Sequence, residues 1–175
     1  MRRLIIWLPL GIFALFLLVV AFGLLKPGER TLRSQLVGEP MPEFTLPGAL
    51  PQRAGLQKAD FTTGKPRVLN VFASWCGPCK IEAPQLMELK RRNIPVDGIA
   101  VRDRPEDLAA FLRDYGDPFE RIASDRDSRV QLSLGSSGVP ETFVIDGNGI
   151  IRHQHLGDIR PENLAEIVQA YEAAR

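Results

Sequence analysis

Cysteine is nearly absent from this sequence of 175 residues: there are two, Cys76 and Cys79, both inside the stretch "NVFASWCGPCKIEAP", Asn70 to Pro84. With no third thiol the chain cannot build a framework of structural disulfides. Histidine is as scarce, His153 and His155 being the only two, so a four-ligand metal cage is hard to assemble. No repeat and no low-complexity tract occurs. An excess of one charge sign is missing too: Lys+Arg 22 against Asp+Glu 21 leaves a net charge of +1, and beyond Ser34 there are 17 basic and 20 acidic residues. A mildly acidic body lacks the dense basic face that nucleic acid requires, and nucleic-acid binding is excluded on that ground. What remains, 45% hydrophobic and 25% charged residues, suits one globular domain plus an appendage.

The appendage is at the start. Leu4 to Leu25 are 22 consecutive residues without a charge, and a helix of them, rising about 1.5 Å per residue, matches the ~30 Å hydrocarbon core of a bilayer. Residues 1–25 are therefore expected to be a transmembrane anchor with a short cytoplasmic start. A cleavable secretory signal is the alternative, with Arg2-Arg3 as its charged region and Ala21-Phe22-Gly23 as a cleavage site, but the apolar run exceeds the usual ~7–15 residues. Arg2 and Arg3 face Lys26, Arg30 and Arg33 across the segment, so flanking charge does not set the orientation. Residues 26–43, with prolines and glycines but no sustained apolar period, are expected to be a linker. The folded domain is then residues 44–175.

Within it, "RVLNVFAS" (67–74) is a short, almost continuous apolar run that suits a strand buried on both faces, and "PVDGIAV" (95–101) is a second. Leu108, Phe111, Leu112 and Tyr115 recur at helical spacing between Pro105 and Gly116. "ETFVID" and "IIRHQH" flank Gly147-Asn148-Gly149, a hairpin signal. A last helix is expected behind Pro161, on Leu164, Ile167, Val168 and Tyr171. Early alternation of strand and helix followed by a hairpin predicts an α/β fold with a mixed central sheet flanked by helices.

Cys76 follows the first strand directly and opens a helix, "CGPCKIEAPQLMELKRR". Unsatisfied N–H groups and the macrodipole at that end favour a thiolate, which makes Cys76 the expected exposed nucleophile. Cys79, three residues on, can close a small ring with it and resolve a mixed disulfide. Other uses of the pair fit less well. No second pair completes a zinc site, Lys80 stands where haem attachment needs a histidine, and a two-residue loop restricts the unfolded chain too little to serve stability. Glu82 lies three residues beyond Cys79, about 60° around a helix, where a carboxylate could take the proton of Cys79. Trp75 is either part of a docking surface or a cover for the core edge. His153 and His155 share one face of a strand, a spacing open to metal or haem iron, yet exposed or hydrogen-bonded histidines are the simpler reading. Pro84 reads as a helix kink.

"WCGPCK" after a buried strand, with Pro84 in the helix and a later Val-Pro before a hairpin, resembles the thioredoxin superfamily over residues 44–175. That resemblance implies a thioredoxin-like fold, a cis Pro140 beside the cysteines, and a backbone at Val139 that pairs with an extended substrate peptide. "GVPETFVIDGNGIIRHQHLG", with Asn70 and Glu82, resembles more specifically the DsbE/CcmG proteins, membrane-tethered periplasmic thiol reductases of bacterial cytochrome c maturation. Gly77-Pro78 and Ala83-Pro84 depart from many of its members. Asn70 stands where thioredoxins commonly carry a buried aspartate, so Glu82 and Glu141 become the candidates for proton handling.

The resemblance implies an inner-membrane protein with its domain in the periplasm, reducing apocytochrome c or a partner that holds it. It needs no cofactor beyond the Cys76-Cys79 pair, and a transmembrane electron donor recharges it. A general periplasmic reductase is the near alternative. A non-catalytic tethered chaperone for apocytochrome or haem is the distant one. An oxidant role fits less well, because oxidants of the superfamily usually carry a dipeptide that stabilises the thiolate more strongly.

Overall fold

A computed structural model describes residues 2–25 and 36–175. The chain divides into two compact units, Met1–Leu32 and Arg33–Arg175. The first contains one helix, α1 (Arg2–Leu25), which runs through Pro9. Its side chains are described for Trp7 and residues 9–21, a continuous stretch of about 20 Å at helical rise. Among the described residues no helix is long and apolar enough to cross a membrane.

The second unit holds β1 (Thr45–Leu46), β2 (Leu56–Gln57), a 3-10 turn (Lys58–Phe61), β3 (Arg67–Phe72), α2 (Gly77–Arg91), β4 (Val96–Val101), α3 (Pro105–Tyr115), β5 (Ile122–Asp125), α4 (Arg129–Ser133), β6 (Glu141–Ile145), β7 (Ile151–Leu156) and α5 (Leu164–Ala173). Five strands form one sheet in the order β5-β4-β3-β6-β7. The first three are parallel, and the β6–β7 hairpin joins antiparallel to β3. This is the mixed α/β sheet expected from the strand–helix alternation and the late hairpin, in the thioredoxin-like form that the resemblance implies.

Strand β3 sits in the middle, so both its faces must be apolar. Val68 and Phe72 point into one core with Leu86 and Leu89 of α2, Phe111 of α3 and Ile167 of α5. Leu69 and Val71, on the opposite face by the two-residue period, meet Ile99, Phe143, Ile145 and Ile151. At Gly98 of β4 a Cβ would stand 2.9 Å from the Phe72 ring and 3.0 Å from Phe119. Those two rings stack at 4.6 Å between centroids, so the glycine leaves room for the stack.

One expectation about the extent of the domain is corrected. The linker does not reach residue 43: Gly38 N–H donates to Ile151 O (2.7 Å), Met41 N–H to Gly149 O (2.9 Å), and Met41 is buried. Backbone pairing holds these residues despite their prolines and glycines, so the domain begins before residue 44. Strand β5 and the β1–β2 ribbon carried no readable pattern, because strands of four and two residues are too short to show a period. Helix α5 (Leu164–Ala173) lies behind Pro161 and carries Leu164, Ile167 and Tyr171 on its buried face, as their spacing predicts. Asn163 closes a turn on Arg160 first, donating its N–H to Arg160 O (2.9 Å) and accepting from Arg160 N–H through Oδ1 (3.3 Å).

The register defines two poles. Val71, near the end of β3 that leads to the cysteines, pairs with Glu141, which pairs with Leu156. Arg67, at the other end, pairs with Ile145, which pairs with Ile151. The cysteines therefore sit at one pole, and the clasp of Gly38 and Met41 on β7 sits at the other.

Candidate active site

Where β3 runs out, Cys76 becomes the N-cap of α2, with Pro78 in the first turn. Its sulfur is bonded to that of Cys79 and accepts the Cys79 N–H at 3.2 Å. One of the helix's unsatisfied donors thus points at the leading sulfur, as its place at the N-terminus predicts. Exposure differs from expectation: Cys76 is only 4% exposed and Cys79 1%, because the ring folds the first sulfur back over the helix end. What faces solvent beside it is Trp75, 59% exposed, with its Nε1–H donated to Arg102 O at 3.3 Å.

The residue before Trp75 is held from a distant loop. Asp103 accepts the Ser74 N–H (2.6 Å) and the Ser74 hydroxyl (2.5 Å). Nothing in the sequence around "RDRP" signals this, since the contact joins segments 29 positions apart.

Glu82 is fully buried on α2, one turn beyond Cys79, and is not a solvated surface residue. Its Oε1 accepts from Asn70 Nδ2 (3.0 Å) and its Oε2 from the Ile159 N–H (3.1 Å). The same Asn70 amide donates to Thr142 Oγ1 at 3.0 Å, which ties α2, β3 and β6 together beneath the disulfide. Burial pushes the Glu82 carboxyl up to about 7; the Ile159 N–H and the Asn70 amide draw it down, and the charge of Asp158 adds to the rise. A carboxyl poised there can exchange a proton near neutral pH.

The Val139–Pro140 peptide is cis, Pro140 is buried, and half-buried Val139 packs against the core cluster that contains both cysteines. Glu141, also buried, turns back onto this loop: Oε1 accepts from the Ser137 N–H and hydroxyl, both at 2.8 Å, and Oε2 from Gln154 Nε2 at 3.2 Å. It is a fastener of the loop more than a group facing the sulfurs. The histidines take other partners: His153 Nε2 is 3.6 Å from Glu166 Oε1, and His155, opposite Thr142 in the hairpin, has its Nε2 3.2 Å from Asp158 O. Among the described residues no three His, Cys, Asp or Glu side chains converge to hold a metal. Pro84 lies inside α2.

Residues 36–171 match the Redoxin family. A thiol:disulfide interchange protein DsbE of Escherichia coli (strain K12) is 37% identical over 166 residues, covering 92% of this chain and 89% of its own. The Pseudomonas aeruginosa DsbE is 39% identical over 158 residues, covering 90% and 86%. A Chlorobium tepidum crystal structure assigned as a DsbE superposes with a TM-score of 0.63 at 31% identity, over 79% of this chain and 96% of that one. The chain belongs to the Redoxin family, among the DsbE thiol:disulfide interchange proteins, and is a thiol–disulfide oxidoreductase.

Proposed function

We propose that this oxidoreductase works as a reductant in cytochrome c maturation, anchored in a bacterial inner membrane with its domain in the periplasm. Its clients are the haem-binding cysteines of apocytochrome c, or a partner holding them. The single observation that carries the chemistry is Glu82, buried one turn beyond Cys79 with its carboxyl near 7. The client assignment leans on the motif "GVPETFVIDGNGIIRHQHLG" and on the DsbE relatives. The anchor leans on the 22 uncharged residues from Leu4 to Leu25.

In the reductive cycle the Cys76 thiolate attacks one sulfur of the client disulfide. A bond forms between Cys76 and that sulfur, the client bond breaks, and the other client sulfur leaves as a thiolate that takes a proton from water. Glu82 then accepts the proton of Cys79, whose sulfur attacks Cys76 and closes the Cys76–Cys79 bond. The second client sulfur departs as a thiolate and takes up the proton held by Glu82, which returns to the carboxylate. Two electrons have passed to the client, and a transmembrane dithiol donor returns two electrons and two protons to the enzyme, one of which Cys76 releases to water as it ionises for the next turn. No cofactor enters the cycle; the two sulfurs carry the electrons. Trp75, Val139, Pro140 and Glu141 form or support the surface on which the client lies.

The test is a Cys79→Ser chain expressed in a host that makes c-type cytochromes. It should accumulate a mixed disulfide through Cys76 with an apocytochrome or its carrier, and the double Cys76→Ser, Cys79→Ser chain should fail to support holocytochrome formation. Full maturation by the double variant would reduce the protein to a chaperone. Trapping only unrelated thiol proteins would make it a general reductase.

A further inference from the structure

Two loops meet at the site, and the hydrogen bonds that hold the second run through a residue that neither disulfide chemistry nor proton transfer uses. Gln131, buried on α4, donates from Nε2 to the carbonyl of Gly138 at 3.0 Å. Ser136 Oγ donates to the same carbonyl at 2.9 Å, so both lone pairs of that oxygen are engaged from within the protein. Gln131 is itself fixed at its base, because the buried carboxylate of Asp125 accepts its backbone N–H at 2.8 Å. Asp125 reaches the other loop as well. Its carbonyl accepts the Arg102 N–H at 3.2 Å, and the Arg102 carbonyl accepts the Trp75 indole N–H at 3.3 Å.

The carbonyl of Gly138 and the N–H of Val139 belong to one planar peptide unit. Pinning the oxygen on one side therefore sets the direction of the N–H on the other. That N–H meets no acceptor, and the Val139 carbonyl no donor, among the described residues. Pro140 has no N–H of its own, so the Val139 N–H is the donor next to the cis bond that an incoming strand can meet.

We propose that Gln131, braced by Asp125 and seconded by Ser136, is the positioning residue that aims the Val139 N–H at the backbone of the substrate peptide. This rests on the reading of Val139 as the peptide-pairing position. Gln131 acts through Gly138 and touches neither sulfur nor client. Losing it weakens docking of substrates that offer a backbone and leaves small disulfides untouched.

The experiment uses the full-length chain in detergent, reduced, under single-turnover conditions. One substrate is a peptide carrying an intramolecular disulfide, and the other is dithiodipyridine, which has no backbone to pair. For Gln131→Met, which keeps the side chain's length without its donor, the half-saturating peptide concentration should rise about tenfold, the cost of one lost hydrogen bond of ~1.4 kcal/mol. The limiting rate and the dithiodipyridine rate should stay within about twofold. Ser136→Ala should shift the peptide concentration in the same direction by a smaller factor, and serves if the first variant does not fold. Full retention of peptide affinity in both variants, or an equal loss towards both substrates, overturns the proposal. A wild-type chain that does not favour the peptide over dithiodipyridine sinks the pairing reading itself. Wild-type preference retained by the variants sinks only the brace.

Discussion

Glu82 is the residue on which pH and redox chemistry meet. Its folded carboxyl lies near 7, above the ordinary 4.5, so the folded state holds a proton that the unfolded chain has released. The stability this gives is complete below about pH 4.5 and lost as pH rises through about 7, roughly 3 kcal/mol in all. Urea melts of the oxidised protein should show that fall between those limits, and Glu82→Gln should flatten it. The same substitution should slow decay of the mixed disulfide at least tenfold at pH 7, because the attacking thiol loses its proton acceptor. Rapid acid quench of the mixed disulfide measures that decay. An unchanged rate would make Glu82 a packing group. Spacing alone pointed to this residue, since three positions along a helix carry it to the second cysteine's side. Asn70 as its partner was not legible, because the bond closes only when β3 and α2 are packed.

At the scale of elements, β3 carries two separate obligations. Its first residue, Arg67, donates from Nε to the buried carboxylate of Asp97 on β4 at 2.5 Å and from a terminal nitrogen to Glu120 at 2.5 Å. Burial raises the Asp97 carboxyl, and Arg67 holds it down. Arg67→Met should cost about 3–5 kcal/mol, because a buried charge loses its partner. That cost should shrink as pH falls and the stranded carboxyl, raised further once Arg67 is gone, takes up its proton; denaturant midpoints against pH will show it. Beside it, Gly98→Ala should cost about 1–3 kcal/mol by forcing the stacked Phe72 and Phe119 rings apart. Calorimetry reads this directly. The elements legible in the sequence were those with a full period: β3 and β4 by continuous apolarity, α3 by its i, i+3, i+4, i+7 face between Pro105 and Gly116, and the β6–β7 hairpin by its glycine turn. Hidden from such reading were β5, an edge strand of four residues, the loop that delivers Asp103 and the short helix α4 that delivers Gln131, whose partners are chosen by topology.

For the molecule as a whole, the start of the domain is testable. A chain beginning at residue 36 retains both core clusters and the clasp on β7, and should melt within about 2 °C of the full-length protein. One beginning at residue 44 loses buried Met41 and its backbone pairings, and should be less stable by about 2–4 kcal/mol. Equal melting of the two would return residues 36–43 to the linker. The clasp has a geometric corollary. Because the N-terminal side of the polypeptide is stitched to the far ends of β6 and β7, whatever pulls on the protein from that direction loads the pole remote from the sulfurs. Force entering the domain at residue 36 is therefore met at that end of the sheet, with the sulfurs at the opposite end.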